Sequence, residues 1–289
     1  MSKSAIASCG NAALGAAVVA KAAGRPLEVF VPPNANPKVI ERLQELGAHL
    51  VYCPRESNEP GDPCYLRFKK AVAGGALPFT VQGNENGLTI AGGKTLVYEM
   101  VARLRREKVS IDHLFIQVGG GALASSIFQG LQDAKALGLI DRLPRIHAVQ
   151  TEGGYPLARA YEKIAKRIRD RCPNTKTSDV PKQILDEELW FAAIHRSSFM
   201  WPWETEPKSV AHGILDDETY DWLAVVEGML RTGGAPVVVS EENLKKANRL
   251  GREHTKIRVD HTGTAGLAGV LKLQRPDENV AVLFTGVER

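Results

Sequence analysis

Residues 114–123 read Leu114-Phe115-Ile116-Gln117-Val118-Gly119-Gly120-Gly121-Ala122-Leu123, and the change of character in the middle decides the architecture. A short apolar run bounded by a turn is the pattern of a strand buried on both faces, as in a parallel sheet covered by helices. Three glycines follow, and then an alanine-bearing stretch over residues 122–134 that carries a helical pattern. Glycines at this junction let several backbone amides converge on one oxygen-rich group, and the dipole of the next helix favours a phosphate there. The spacing is neither G-x-G-x-x-G nor a Walker loop, which disfavours a dinucleotide or ATP site. A tight turn that holds nothing is the competing reading.

The same grammar extends in both directions. Strands are expected at residues 4–8, 27–31, 49–53 and 78–82, with helices at 11–23, 38–46 and 65–73 between them. A polar segment, 83–93, leads to a helix over 95–107. Beyond the glycine loop come strands at 145–150, 235–239 and 280–284, and helices at 241–254, capped by Ser240, and 263–273. The expectation is an α/β protein with two open, mostly parallel sheets flanked by helices. Residues 1–105 would form a smaller subdomain and 106–289 a larger one. Residues 174–207 break the pattern with several prolines and with Trp190, Phe191, Trp201 and Trp203. A lid, an oligomer contact and a satellite core are the readings open for that stretch. No internal sequence repeat is present.

Bulk properties remove other classes. The 289 residues carry 37 Lys and Arg against 33 Asp and Glu, a net charge of +4, too small an excess to argue for nucleic acid. The basic runs at 103–108 and 163–171 read as solvated helix faces. No run of eighteen apolar residues and no signal-like start occurs, so neither membrane spanning nor secretion is expected. Cys9, Cys53, Cys64 and Cys172 form no C-x-x-C pair, which fits a reducing, cytoplasmic setting, and no metal site is expected.

Two further groups fall at strand ends. Ser8-Cys9-Gly10-Asn11-Ala12 stands where the first strand meets its helix, a place where unpaired amides receive an anion such as a carboxylate. Ser and Asn there also serve as plain helix caps. Thr285, in Val282-Leu283-Phe284-Thr285-Gly286, lies just past the last strand, on the edge where open parallel sheets gather ligands.

The order S-x-G-N before an Ala-rich helix, a glycine-triplet loop about one hundred residues on, and a final strand closing in Thr-Gly resembles the tryptophan synthase β-like, fold type II, family of pyridoxal phosphate (PLP) enzymes. Residues 92–99 (GGKTLVYE) are similar to that family's G-x-x-T-x-x-x-E helix start, and Ser209-Val210-Ala211-His212-Gly213 to its S-[IV]-A-D-G strand. The resemblance covers residues 4–286 apart from 174–203. It implies pyridoxal 5′-phosphate as cofactor, an amino-acid substrate and a homodimer. Asn11 would meet the cofactor's 3′-oxygen. Gly119, Gly120, Gly121 and Ala122 would hold its phosphate, and Thr285 would face the pyridine nitrogen, with Gly213 beside the ring. Ser8, Cys9 and Gly10 would receive the substrate carboxylate. A hydroxyl at the ring nitrogen suits elimination and replacement at the β-carbon better than transamination, on serine, threonine or a phosphorylated homoserine.

The family's Schiff-base lysine belongs to a segment a few dozen residues before the S-x-G-N loop, and only residues 1–7 precede that loop here. Lys3 and Lys94 match no such position. The expectation is therefore a chain that docks PLP with little turnover by itself. Two alternatives stay open: a binding paralogue without turnover, and a nucleotide-binding α/β protein. Ala12 leans toward threonine synthases and the glycine triplet toward dehydratases. His212 replaces the family's aspartate, either to touch substrate or as an ordinary surface or core histidine.

Overall fold

The structure, a computed structural model, describes residues 3–56, 61–274 and 277–286. Two compact units make up the chain, Met1–Thr89 and Ile90–Glu288.

Unit 1 alternates β1 (Ser4–Ala7), α1 (Asn11–Ala22), β2 (Leu27–Val31), α2 (Pro37–Glu45), β3 (His49–Tyr52), α3 (Pro63–Ala73) and β4 (Leu77–Pro78). The strands are parallel in the order β3-β2-β1-β4. All of β1 is buried, and its alternate residues feed two cores. Ile6 packs with Val29, Val31 and Leu43 on one face, and Ala5 and Ala7 with Phe30 and Phe68 on the other. Asn36 and Asp62 cap α2 and α3 by accepting from the amides of Lys38 and Cys64, each with proline at the first helical position. The fourth strand is shorter than the expected 78–82. Leu77 and Phe79 donate to the carbonyls of Lys3 and Ala5, and Pro78 between them turns the side without an N–H to the open edge of the sheet.

The helix α4 (Gly87–Glu107) begins eight residues before the expected start at 95. Asn86 takes the amide of Leu88 on its side chain and that of Thr89 on its carbonyl, which sets the first turn. The units divide between Thr89 and Ile90; residue 105, the boundary read from the pattern, lies in the last turn of α4.

Unit 2 contains β5 (His113–Gln117), α5 (Ala122–Ala136), β6 (Arg145–Thr151), α6 (Pro156–Arg171), α7 (Lys182–Ile194), α8 (Trp222–Thr232), β7 (Val237–Val239), α9 (Glu241–Thr255), α10 (Ala265–Leu273) and β8 (Val280–Val282). Its parallel sheet runs β7-β6-β5-β8. The order repeats that of unit 1, strand for strand, without any repeat in sequence. Leu114, Ile116, Ile127, Leu131, Ile146, Leu157 and Ile164 are fully buried in its main core, each contributing roughly 1.5–3 kcal/mol relative to exposure.

Residues 174–207 are less irregular than expected, because α7 starts directly after Pro181 and buries Leu185, Leu189 and Ala192. Phe199 and Met200 join the main core. Arg159 of α6 lies 3.7 Å over the Trp201 ring and 5.0 Å from that of Trp203, whereas Trp190 stays 66% exposed. The basic end of α6 is not simply a solvated face either: Arg167 and Arg171 pair with Glu188, which is buried on α7. No strand forms over 209–213. Ser209 and the Val210 amide bond the carboxylate of Glu241, so this backbone answers to a side chain and ends in a short 3-10 turn, His212–Ile214. Among the described residues no helix is long and apolar enough to cross a membrane, and no three His, Cys, Asp or Glu side chains are grouped to hold a metal ion.

Candidate active site

In unit 2 the chain winds from β5 outward to β6 and β7, then returns to place β8 on the other side of β5. The carboxyl end of β5 is therefore the point where the winding reverses, the place where open α/β sheets leave a crevice for ligands. Residues 118–122 leave β5 there, and Thr285 follows β8 on the same edge. Gln117, the last residue of β5, links them: its Nε2 donates to Thr285 Oγ1 at 2.5 Å. Gln117 is buried, and its Oε1 has no hydrogen-bond partner among the described residues.

Gly121 caps α5 in the left-handed region, φ +94°, without any side-chain cap. The first amides of this 15-residue helix are thus free of the side-chain oxygen that Asn36 or Asp62 supplies elsewhere. Such a terminus, with its dipole, is an oxyanion receptor. The opposite face of the loop is closed. A Cβ on Gly119 would stand 2.3 Å from Asp216 Oδ2 and 2.9 Å from Ile214 Cα, and one on Gly121 3.0 Å from Thr219 Cγ2. Asp221 donates its amide to the Gly120 carbonyl at 2.9 Å. Residues 214–221 therefore strap the loop from its Cβ side and leave the amide side to a ligand. Gly213, exposed, donates its amide to Thr262 Oγ1 at 3.0 Å. Unit 2 thus brings Gly119, Gly120, Gly121, Ala122, Gly213 and Thr285 to one edge. His212 is exposed beside them.

Unit 1 repeats the arrangement. Its winding reverses at the carboxyl end of β1, and Ser8, Cys9, Gly10 and Asn11 follow β1 directly. Ser8 does not cap α1; Gly10 holds the cap position with no side-chain bond to the helix, while Ser8 Oγ accepts from the Gly10 amide at 3.4 Å. Cys9 and Asn11 are exposed. Cys53 and Cys64, buried in the same unit, have their thiols pushed up chiefly by burial, which keeps them protonated and unreactive at neutral pH.

Lys3 and Lys94, which match no Schiff-base position in the sequence, each stand away from the loop of their own unit. Lys3 enters β1 at the opposite, amino edge of its sheet, 66% exposed and 3.7 Å from Glu28. Lys94 Nζ lies 3.0 Å from Asp133, three turns along α5 and about 16 Å from its start at 1.5 Å per residue.

The sequence reading overlooked Gln117 and the strap. Gln117 was visible as the one polar residue in the run Leu114–Val118. Asp216, Thr219, Tyr220 and Asp221 carry no pattern that separates a strap from an ordinary acidic loop.

Residues 2–286 match the family model described as pyridoxal-phosphate dependent enzyme. The chain is 29% identical over 237 residues to threonine synthase of Mycobacterium leprae, covering 75% of this chain and 63% of that protein. It is 22% identical over 206 residues to threonine synthase of Methanocaldococcus jannaschii, covering 70% of this chain and 42% of that protein. The chain thus spans less than two thirds of either relative. In fold it is similar to serine racemase from Dictyostelium discoideum, with a TM-score of 0.65 and 17% identity over all of this chain and 77% of that one. The match over nearly every residue, and an uncapped glycine loop whose amides fit a phosphate, place the chain in the pyridoxal-phosphate dependent enzyme family.

Proposed function

We propose that this chain carries the cofactor-holding part of an enzyme that acts on amino acids by elimination or replacement at the β-carbon, on serine, threonine or a phosphorylated homoserine. The observation that carries this reading is the edge in unit 2 where the glycine loop, the strap and the Gln117–Thr285 pair meet at one switch point. When bound, PLP supplies an electron sink for charge developing at the substrate's α-carbon. Gly119, Gly120, Gly121 and Ala122 hold the phosphate through backbone amides, and the strap keeps those amides aimed. Thr285, oriented by Gln117, meets the ring nitrogen with a hydroxyl and so leaves it without a fixed proton. Gly213 gives the ring a surface without a side chain. In unit 1, Ser8, Cys9, Gly10 and Asn11 form a second receptive loop at a strand end, suited by its amides and side chains to a carboxylate or a ring hydroxyl oxygen. The positions of Lys3 and Lys94 support a further part of the proposal, that neither supplies the amine that carries the cofactor. Val18 and Val19 of α1, both more than half exposed, support an assembled form such as a homodimer.

Titration of the purified chain with PLP, pyridoxal and ATP, read by tryptophan emission and melting temperature, tests this reading. PLP is expected to bind at least about tenfold more tightly than pyridoxal, since the loop reads the phosphate with charge-assisted hydrogen bonds. Borohydride treatment of the loaded chain is expected to leave Lys3 and Lys94 unlabelled. Equal affinity for PLP and pyridoxal, or stabilisation by ATP alone, refutes the assignment.

A further inference from the structure

At the amino ends of β5 and β6, on the edge of unit 2 opposite the glycine loop, a cleft of about 330 Å³ opens between the last turns of α4, the end of α5 and the connection into β6. Its volume falls at the lower end of the range for small-molecule sites, roughly 300–1,000 Å³. The length of β5 separates it from the glycine loop by about 16 Å, at 3.3 Å per residue, so it is no extension of that site.

The cleft is built from two kinds of surface. Val101, Leu104, Leu131 and Ile140 give it an apolar floor, with Val101 and Leu131 almost wholly buried. At its rim stand Lys108 and Asp141, neither of which forms an ion pair among the described residues. The other cations of the wall are engaged. Arg142 pairs with Asp112, and Arg105 Nη1 donates to the carbonyls of Gly138 and Leu139, both at 3.3 Å, which ties α4 to the far wall. Lys108 itself is held in the left-handed region, φ 56°, with its amide bonded to the Arg105 carbonyl. An uncommitted ammonium above an apolar floor matches a ligand with a carboxylate at one end and hydrocarbon at the other.

We infer that this cleft is a second ligand site, for a small carboxylate with an apolar tail. The carboxylate meets Lys108 and the tail lies on Val101, Leu104, Leu131 and Ile140. The carboxylate has two sources, a free α-amino acid or a simple acid, and Asp141 separates them because only the amino acid brings an ammonium to it.

The probes are leucine, 4-methylpentanoate and the uncharged 4-methylpentan-1-ol, titrated into the full chain by calorimetry. Both carboxylates are expected to bind saturably at millimolar concentration and the alcohol at least about tenfold more weakly, one charged hydrogen bond being lost. Lys108→Glu is expected to weaken both carboxylates by a similar factor. Arg106→Glu, close by in sequence and outside the cleft, leaves both affinities within twofold. Asp141→Asn weakens leucine alone if an amino acid is the ligand, and leaves leucine no tighter than 4-methylpentanoate if a simple acid is. Lack of saturation by both carboxylates, equal binding of the alcohol, or equal weakening by Lys108→Glu and Arg106→Glu overturns the inference.

Discussion

The two units share one winding, β3-β2-β1-β4 and β7-β6-β5-β8, and each sends a glycine-bearing loop from its first strand into an uncapped helix. They differ in what lies against that loop. In unit 1 a Cβ added to Gly10 meets nothing within 4 Å among the described residues; in unit 2 one added to Gly119 runs into Asp216 and the backbone of Ile214. Topology puts a receptive loop at the same place twice, but among the described residues only one of the two is braced by another segment of its own unit. A braced loop holds its amides in a fixed array, as a phosphate requires. An open one, on the function proposed above, would leave room for the side chains Ser8 and Asn11 to address a varied ligand.

The largest expected effect separates the loops directly. Gly119→Val forces a side chain against a backbone that cannot move without releasing the strap, at a cost of roughly 3 kcal/mol. For a unit of this size the melting temperature should fall by about 6–12 °C, and PLP binding should be lost with it. Gly10→Val, whose backbone is extended at φ −130°, is expected to change stability by no more than about 0.5 kcal/mol. Calorimetric melting of both variants checks the contrast; equal losses would show that Gly10 is braced too.

A smaller effect concerns the polar pair behind the braced loop. Thr285→Val strands the buried Gln117 amide, whose Oε1 already lacks a partner among the described residues, and is expected to cost about 1–2 kcal/mol. Adding Gln117→Leu removes the stranded group, so the double variant should be more stable than Thr285→Val alone. Both variants should bind PLP more weakly than the parent chain. In unit 1 Ser8→Ala removes only a long, half-exposed contact and is expected to leave stability within about 0.5 kcal/mol. Urea titrations of these variants and the parent chain measure the differences.

The strands around both loops were legible because they are short runs, mostly apolar, with a glycine or proline close to one end. Leu27–Val31 appears as read, and β5 and β6 differ from their expected bounds by one residue. Three kinds of feature escaped. The helix α7 was hidden by Pro173, Pro181 and a cluster of aromatics, although Leu185, Leu189 and Ala192 already carried the helical spacing. Residues 209–213 read as a strand by their resemblance, but Glu241, far along the chain, takes their hydrogen bonds. The strap over Gly119 consists of contacts between segments about ninety-five residues apart, 119 and 214–221, and no local periodicity records such a pairing. Motif positions survive in sequence because their chemistry is local; bracing does not, because it depends on what the fold returns to the same place.

The smallest expected effect extends the comparison to acid. Asp112, Asp133, Asp186 and Glu187 are held below the usual carboxylate range by hydrogen bonds from Arg142, Lys94, Arg231 and Arg171 respectively, and all four belong to unit 2. A carboxylate whose folded pKa is lowered adds stability that is complete above its unfolded value, near 4, and is lost as pH falls through the folded one. The loss should therefore set in between about pH 5 and 3. These groups are partly exposed, so each pair adds little and salt screens it. Trp190, Trp201, Trp203 and Trp222 all lie in unit 2, so tryptophan emission reports on that unit without a label. The midpoint read from it should drop between pH 5 and 3, and the drop should shrink in high salt, because screening has already removed part of what protonation takes away. A drop of equal size at high salt would place its cause in buried groups instead of these surface pairs.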